Sequence, residues 1–212
     1  MNHYSDKVSQ RERTSDAQSG SFTVYPLRCG KSRIGLRAVT RKDLELLLRW
    51  KNDSEIEYLS GEDWDFPLSM ERQEIWYEEY LKDSKNIRFM LDVIKDKKTV
   101  GYTGFWNLDW KNRKAHTGLV IGDRSARGKG YGVEAIFTIM EYAFLELNLH
   151  RLYGKIAEYN TASYKVYVEK CGWKKEGVLE DDFYRRGKYY NTIKVAILKP
   201  EFLRLRKKME DK

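Results

Sequence analysis

The residues best suited to chemistry lie in one run of this chain, Ile121-Gly-Asp-Arg-Ser-Ala-Arg-Gly-Lys-Gly-Tyr-Gly-Val133. Gly128, Gly130 and Gly132 stand between an alternating apolar stretch and an amphipathic one. Glycine lets backbone N–H groups approach a ligand with no Cβ in the way. A helix starting at such a turn adds the partial positive charge of its N-terminus. Arg124, Arg127 and Lys129 add full charges, so the turn fits a pyrophosphate. It is not the dinucleotide fingerprint, because the G-x-G-x-x-G spacing is missing, and it is not a Walker loop. The bland alternative is a glycine turn with solvated bases. The strand pattern before it and the uninterrupted helix pattern after it weigh against that alternative.

A second group is Asn160, Ser163, Tyr164 and Tyr167, spaced i, i+3, i+4, i+7. On a helix these share one face, either a packed face with a polar rim or a row of groups facing a ligand. A third feature is electrostatic. Residues 53–79 hold ten acids against Arg72 alone, a net charge of −9. The whole chain carries +8, so the remainder carries +17. That stretch is either a solvated acidic face or a wall for a cation.

The elements that must hold these groups follow from periodicity. Arg33 to Val39 alternates as a strand, and Thr40, with Asp43 three residues on, begins a helix carrying Leu44, Leu47, Leu48 and Trp50. A second helix follows Ser69. Ile87–Ile94 and Thr99–Trp106 form a hairpin, and Ala115–Ile121 is the strand entering the glycine turn. From Gly130 to Leu147, Val133, Ile136, Phe137, Met140, Ala143, Phe144 and Leu147 fit one helical stripe. Arg151–Ile156 is a strand, Asn160–Lys170 a helix, and Trp173–Leu179 and Tyr190–Leu198 close the sheet. The class is α/β, with a mixed sheet of about seven strands, about four helices and a parallel crossover through the long helix.

The chain has 212 residues, enough for one domain with a sizeable core. Residues 1–32 are polar at their start and read as a disordered extension, with Phe22–Leu27 as a short added strand. Residues 33–199 form the domain, and 200–212 a basic tail. The pattern offers no membrane-spanning run and no secretory signal. Two Cys and three His argue against a disulfide framework and against a metal site, so the expected setting is reducing and cytoplasmic.

Arg127-x-x-Gly130-x-Gly132 resembles the signature of the GNAT superfamily of acyl-CoA-dependent N-acyltransferases. Asn160-Thr-Ala-Ser163, Glu169-Lys-Cys-Gly172-Trp173, Glu176-Gly-Val-Leu179 and Gly187-Lys-Tyr-Tyr190 match further family patterns. The opening Ile34-Gly-Leu-Arg37 and Thr40-Arg-Lys-Asp43-Leu44 fit the branch with ribosomal-protein N-terminal and spermidine acetyltransferases. The resemblance spans about residues 33–199 and implies the GNAT fold, with acetyl-CoA as cosubstrate and no metal. It implies that Arg127, Gly128, Lys129, Gly130, Tyr131 and Gly132 hold the coenzyme pyrophosphate. Leu119, Val120 and Ile121 would pair with the pantetheine amides, and Asn160 and Ser163 would lie near the thiol end.

For catalysis the resemblance implies a base and a thiolate acid. Where many relatives have Ala-Glu this chain has Ala115-His116, and His116 can serve as a base. Asp182 is a second candidate, with Asp181 and Glu180 as alternatives. The acid is expected at Tyr four residues before Gly172. That position is Val168, with Tyr167 one residue earlier. The expected function is acetyl transfer to a primary amine such as a polyamine. The alternatives are a protein N-terminus, an amino-sugar, or, outside enzymes, a nucleic-acid-binding module. No membrane partner is expected, nucleic acid is disfavoured, and a homodimer is compatible with the branch.

Overall fold

In a computed structural model, the described residues are 25–26, 32–60 and 66–211. They form an eight-stranded sheet, ordered β1-β2-β3-β4-β5-β6-β8-β7. The strands are β1 (Tyr25–Pro26), β2 (Ile34–Ala38), β3 (Ile87–Val93), β4 (Lys98–Asp109), β5 (Lys114–Ile121), β6 (Arg151–Ala157), β7 (Lys174–Arg185) and β8 (Lys188–Leu198). The helices are α1 (Leu44–Lys51), α2 (Ser54–Ser60), α3 (Met70–Tyr80), α4 (Tyr131–Glu141), α5 (Thr161–Tyr164) and α6 (Lys199–Glu210). The expected added strand near the N-terminus is present as Tyr25–Pro26; the remainder of Phe22–Leu27 lies outside the described residues.

All pairs are antiparallel except β5–β6, which the α4 crossover makes parallel. That pair is short: Lys114 faces Arg151, Ala115 faces Leu152 and His116 faces Tyr153, and the pairing stops there. The sheet therefore opens between β5 and β6. A parallel pair that diverges leaves backbone groups without a ladder partner on that side.

The core lies on both faces. Ile136, Ile139, Met140 and Phe144 of the long helix pack under β2–β6 with Leu91, Phe105 and Leu152, all fully buried. Every residue of α4 from Ala135 to Glu141 is buried, and Arg206 of α6 pairs with Glu141 at 3.5 Å. Phe202 of α6 packs on Phe144 at 5.3 Å between ring centroids. The stretch from 200, expected as a basic tail, is thus helical to Glu210; Pro200 in the first turn and the Glu201 carboxylate accepting from the Leu198 N–H start it. On the opposite face α1–α3 cover Met90 and Tyr102 with Leu47, Trp50, Ile56 and Tyr77.

Two helices depart from α geometry. After Glu141 the chain makes a π turn over Tyr142–Glu146, and after Tyr164 another over Lys165–Lys170. In the second, the Cys171 N–H donates to the Val166 carbonyl, an i→i+5 bond at 3.0 Å. π turns of this kind are rare and cluster at functional sites. Arg37 is buried beneath the sheet edge and donates to Asp43 at 2.7 and 2.8 Å and to Asp92 at 2.7 Å. Burial works to raise the Asp43 carboxyl, but the Arg37 and Thr40 hydrogen bonds outweigh it and hold its pKa below the ordinary value.

Candidate active site

The glycine turn sits where β5 leaves the sheet and α4 begins. Gly128 and Gly130 have φ of 74° and 85°, which a side chain adopts only at a cost. Nothing lies within 4 Å of a Cβ built on Gly128, so the space over the turn is open. Gly130 caps α4, and its carbonyl accepts from the Val133 and Glu134 N–H groups.

The turn is held from behind. Arg127 donates from Nε to the Ile121 carbonyl at 3.1 Å and pairs with Glu55 at 2.9 Å. Arg124 pairs with Asp53 at 3.1 Å and with Glu55 at 3.2 Å. Arg33 donates to the Lys129 carbonyl at 2.8 Å, pairs with Glu134 and lies over the Tyr131 ring. The Arg127 guanidinium thus braces the loop, leaving the backbone to face the open side.

The carboxylates that hold Arg124 and Arg127 come from Asp53 and from α2, a helix the hydrophobic pattern does not reveal. Its start is legible in retrospect, since the Asp53 carboxylate accepts from the Glu55 and Ile56 N–H groups. α2 joins the glycine turn to α5. The Asn160 amide donates to the Leu59 carbonyl at 2.8 Å, and its Oδ1 accepts from the Ser163 N–H at 2.9 Å. Tyr159 stacks on Tyr58 at 4.3 Å. The acidic stretch is therefore partly neutralised: Asp53, Glu55, Glu57 and Glu78 each pair with an arginine. Glu71, Glu74 and Glu79 are exposed on α3, while Glu62, Asp63 and Asp65 lie outside the described residues.

Leu119, Val120 and Ile121 follow the point where β5 and β6 part. Gly132 faces Leu119 and Val166, which a Cβ built on it would meet at 3.6 and 3.8 Å, ordinary contact distances. The start of α4 is thus packed between the end of β5 and the Lys165–Lys170 turn that follows α5.

The catalytic candidates are less uniform. His116 is the last residue of β5 paired with β6 and lies between Trp106 at 5.8 Å and Tyr153 at 5.5 Å. Burial, with the nearby charges of Lys155 and Lys194, pushes its pKa down to about 4. It is neutral at neutral pH. Tyr167 is buried, edge-on to Trp173 at 4.9 Å, and its hydroxyl has no hydrogen-bond partner among the described residues. Burial, and secondarily Cys171, raises its pKa. The π turn resolves the offset in spacing: one turn of i→i+5 backbone separates Tyr167 from Gly172, as four residues would on an α-helix. Asp182 is exposed in a bulge of β7, where Leu179 and Phe183 face Thr192 and Tyr190 and Glu180 to Asp182 stand against Asn191 alone. Asp181 has φ 47°, and its N–H donates to Asn191. Such bulges re-aim side chains beside active sites. Among the described residues no cluster of three His, Cys, Asp or Glu could hold a metal ion.

Comparison with known proteins gives a consistent picture. The acetyltransferase (GNAT) domain family matches residues 33–174. A spermidine N(1)-acetyltransferase of Vibrio cholerae is 28% identical over 173 residues, covering 81% of this chain and 96% of that protein. The crystal structure of spermidine N-acetyltransferase from the same organism, in complex with CoA and spermine, superimposes with a TM-score of 0.75 at 27% identity, covering 82% of this chain and 99% of that one. A dodecameric structure of that enzyme in an intermediate state gives 0.71 at 26% identity, covering 82% and 98%.

Proposed function

The chain belongs to the GNAT acetyltransferase family, and from that premise we propose that it moves an acetyl group from acetyl-CoA to a primary amine, with a polyamine as the acceptor. The observation that carries this reading is the opening between β5 and β6 directly below a positive-φ glycine turn at the start of α4. A pyrophosphate fits the turn because its backbone amides and the helix N-terminus supply positive charge without side-chain bulk. The β5 edge at Leu119–Ile121 offers ladder groups to the pantetheine amides, as an added strand would. Arg127 to Gly132 hold the phosphates, and Asn160 and Ser163 border the thiol end.

The amine nitrogen attacks the thioester carbonyl carbon. The C–N bond forms, the C–S bond breaks, and the coenzyme leaves as a thiolate. The ammonium proton passes to a base, and the thiolate takes a proton from an acid. We assign the base to Asp182, whose carboxylate is exposed and acts directly or through water. His116 is flanked by the Trp106 and Tyr153 rings, which makes the exposed carboxylate of Asp182 the more accessible base. Tyr167 stays protonated and its hydroxyl has no hydrogen-bond partner among the described residues, which leaves its O–H available to the thiolate.

The polyamine reading rests on the activity of the relatives and on the exposed acids of α3. A sugar nucleotide fits those acids poorly. We take residues 33–199 as the catalytic domain with α6 as its closing helix. We read the enzyme as cytoplasmic and as a homo-oligomer in the manner of its dodecameric neighbour. No helix among the described residues is long and apolar enough to cross a membrane. The test is release of free CoA from acetyl-CoA in the presence of spermidine, spermine and a wider amine panel. Turnover with polyamines supports the reading, and none with any amine refutes it.

A further inference from the structure

Between α3 and the strands β3 and β4 lies a cavity of about 250 Å³, lined among others by Trp76, Glu79, Tyr80, Asp83, Arg88 and Trp106. Arg88 of β3 is the unusual member. It is 7% exposed, and its guanidinium lies over Trp76, Tyr102 and Trp106 at 4.9, 5.0 and 5.6 Å. Its Nη1 is buried with no hydrogen-bond partner, and no carboxylate among the described residues forms an ion pair with it. Arg37, the other deeply buried arginine of the sheet's first strands, is held by two aspartates. Burying a guanidinium without an anion is costly, and a buried charge is ordinarily paired. Rings satisfy its faces and leave its in-plane donors to a planar anion.

The rim of the same cavity has the opposite sign. Glu79 and Asp83 are exposed there. Asp83 is already held as a carboxylate by the Asn86 side chain and by the Lys85 and Asn86 N–H groups. A cation at the rim and an anion at Arg88 are thus both accommodated. Trp106 lines this cavity and its ring centroid lies 5.8 Å from that of His116, at the point where β5 and β6 part.

We propose that this cavity is an acceptor subsite for amines that also carry a carboxylate, with Arg88 as its specificity-determining residue. The carboxylate lies against the Arg88 guanidinium, an adjacent ammonium lies against Glu79 and Asp83, and the chain runs past Trp106 toward the thioester. The class is a free diamino acid. This rests on the acetyl-transfer reading and extends it beyond polyamines, whose distal ammonium the same acidic rim can hold.

Lysine and cadaverine share one diamine chain and differ by a carboxylate, as do ornithine and putrescine. Calorimetric titration of each pair into the wild-type protein, with CoA release measured in parallel, separates the carboxylate from the amine. Lysine or ornithine should bind and turn over at least about tenfold better than its diamine, and Arg88→Met should lower binding and turnover of the amino acid by about 10–100-fold without lowering the diamine. Equal behaviour of each pair in the wild type overturns the proposal, as does an unchanged amino-acid affinity in Arg88→Met. If Arg88→Met fails to fold, the wild-type comparison and Arg88→Lys, which keeps the charge and loses the planar fork, decide the matter in the same way. Arg88-dependent amino-acid binding with no acetylation of any amine would leave the subsite standing and refute the acetyl-transfer reading instead.

Discussion

Thr117 and Gly154 mark the place where the sheet opens. A Cβ built on Gly154 would lie 3.2 Å from the Thr117 carbonyl oxygen, tighter than nine in ten real Cβ contacts, while the Thr117 hydroxyl donates to the Gly104 carbonyl at 2.7 Å. β5 is thereby fastened to β4, and β6 is brought against it at a residue that has no side chain. One residue below, His116 still pairs with Tyr153; above, β5 has no β6 partner. Gly154→Val should force the two strands apart lower down and reduce kcat/KM by about tenfold or more, with smaller effect on the affinity for CoA. Misplacing reacting atoms by an ångström has this scale of effect. Steady-state kinetics beside CoA titration checks it.

Tyr167→Phe removes a buried hydroxyl that has no partner among the described residues. Losing an unsatisfied polar group is neutral or stabilising, so the melting temperature should hold or rise. If the hydroxyl donates to the leaving thiolate, kcat should fall by about 10–100-fold with CoA affinity unchanged. A drop in stability with unchanged kcat would assign Tyr167 to packing.

Asp182→Asn should lower kcat by about 100-fold with CoA affinity retained. Its exposure in the β7 bulge means that stability should change by less than about 0.5 kcal/mol. Glu180→Gln and Asp181→Asn serve as controls, since the bulge carries all three acids side by side.

His116 makes stability depend on pH. Its folded pKa of about 4 lies below the ordinary 6.5, so the unfolded chain takes up the proton first as pH falls. Stability is full above about pH 6.5 and declines between there and pH 4, by at most about 3 kcal/mol. His116→Gln should flatten that window in denaturant titrations. The same depression predicts that no inflection in kcat near pH 6.5 belongs to this residue.

Arg37→Ala should destabilise the fold by about 3–5 kcal/mol, because it leaves Asp43 and Asp92 buried without their shared cation. Urea unfolding measures it. Arg41→Ala, whose partner Glu78 is exposed on the surface, should cost under about 1 kcal/mol.

Much of the fold was legible in the sequence. The alternating run into Ile121, the three glycines and the stripe from Val133 to Phe144 define the crossover and the turn through strict periods. What the periods could not reveal are features set by tertiary contact. α2 is too short and too acidic to show an apolar stripe, and tertiary contacts hold it: Ile56 in the core, and Tyr159, Asn160, Arg127 and Arg185 along its length. The π turn at Lys165–Lys170 shifts Tyr167 toward the phase of an α-helical neighbour, so counting along an ideal helix misplaces it. The charge sum of residues 53–79 suggested a cation wall, yet Asp53 and Glu55 are bound to the arginines of the glycine turn. Arg88 carried no signal at all, because a lone arginine in a strand pattern does not announce which rings will surround it.

The most direct test is calorimetric titration of acetyl-CoA into the wild-type protein and into Gly130→Glu. The glutamate adds a bulky anion to the turn proposed to hold the phosphates, at a residue with φ of 85° whose Cβ would meet Arg33 at 3.3 Å. Micromolar binding by the wild type, weakened at least about 100-fold in a variant with an unchanged circular dichroism spectrum, is the result expected. A folded wild type that does not bind acetyl-CoA, or a variant that binds it as tightly, would contradict the account.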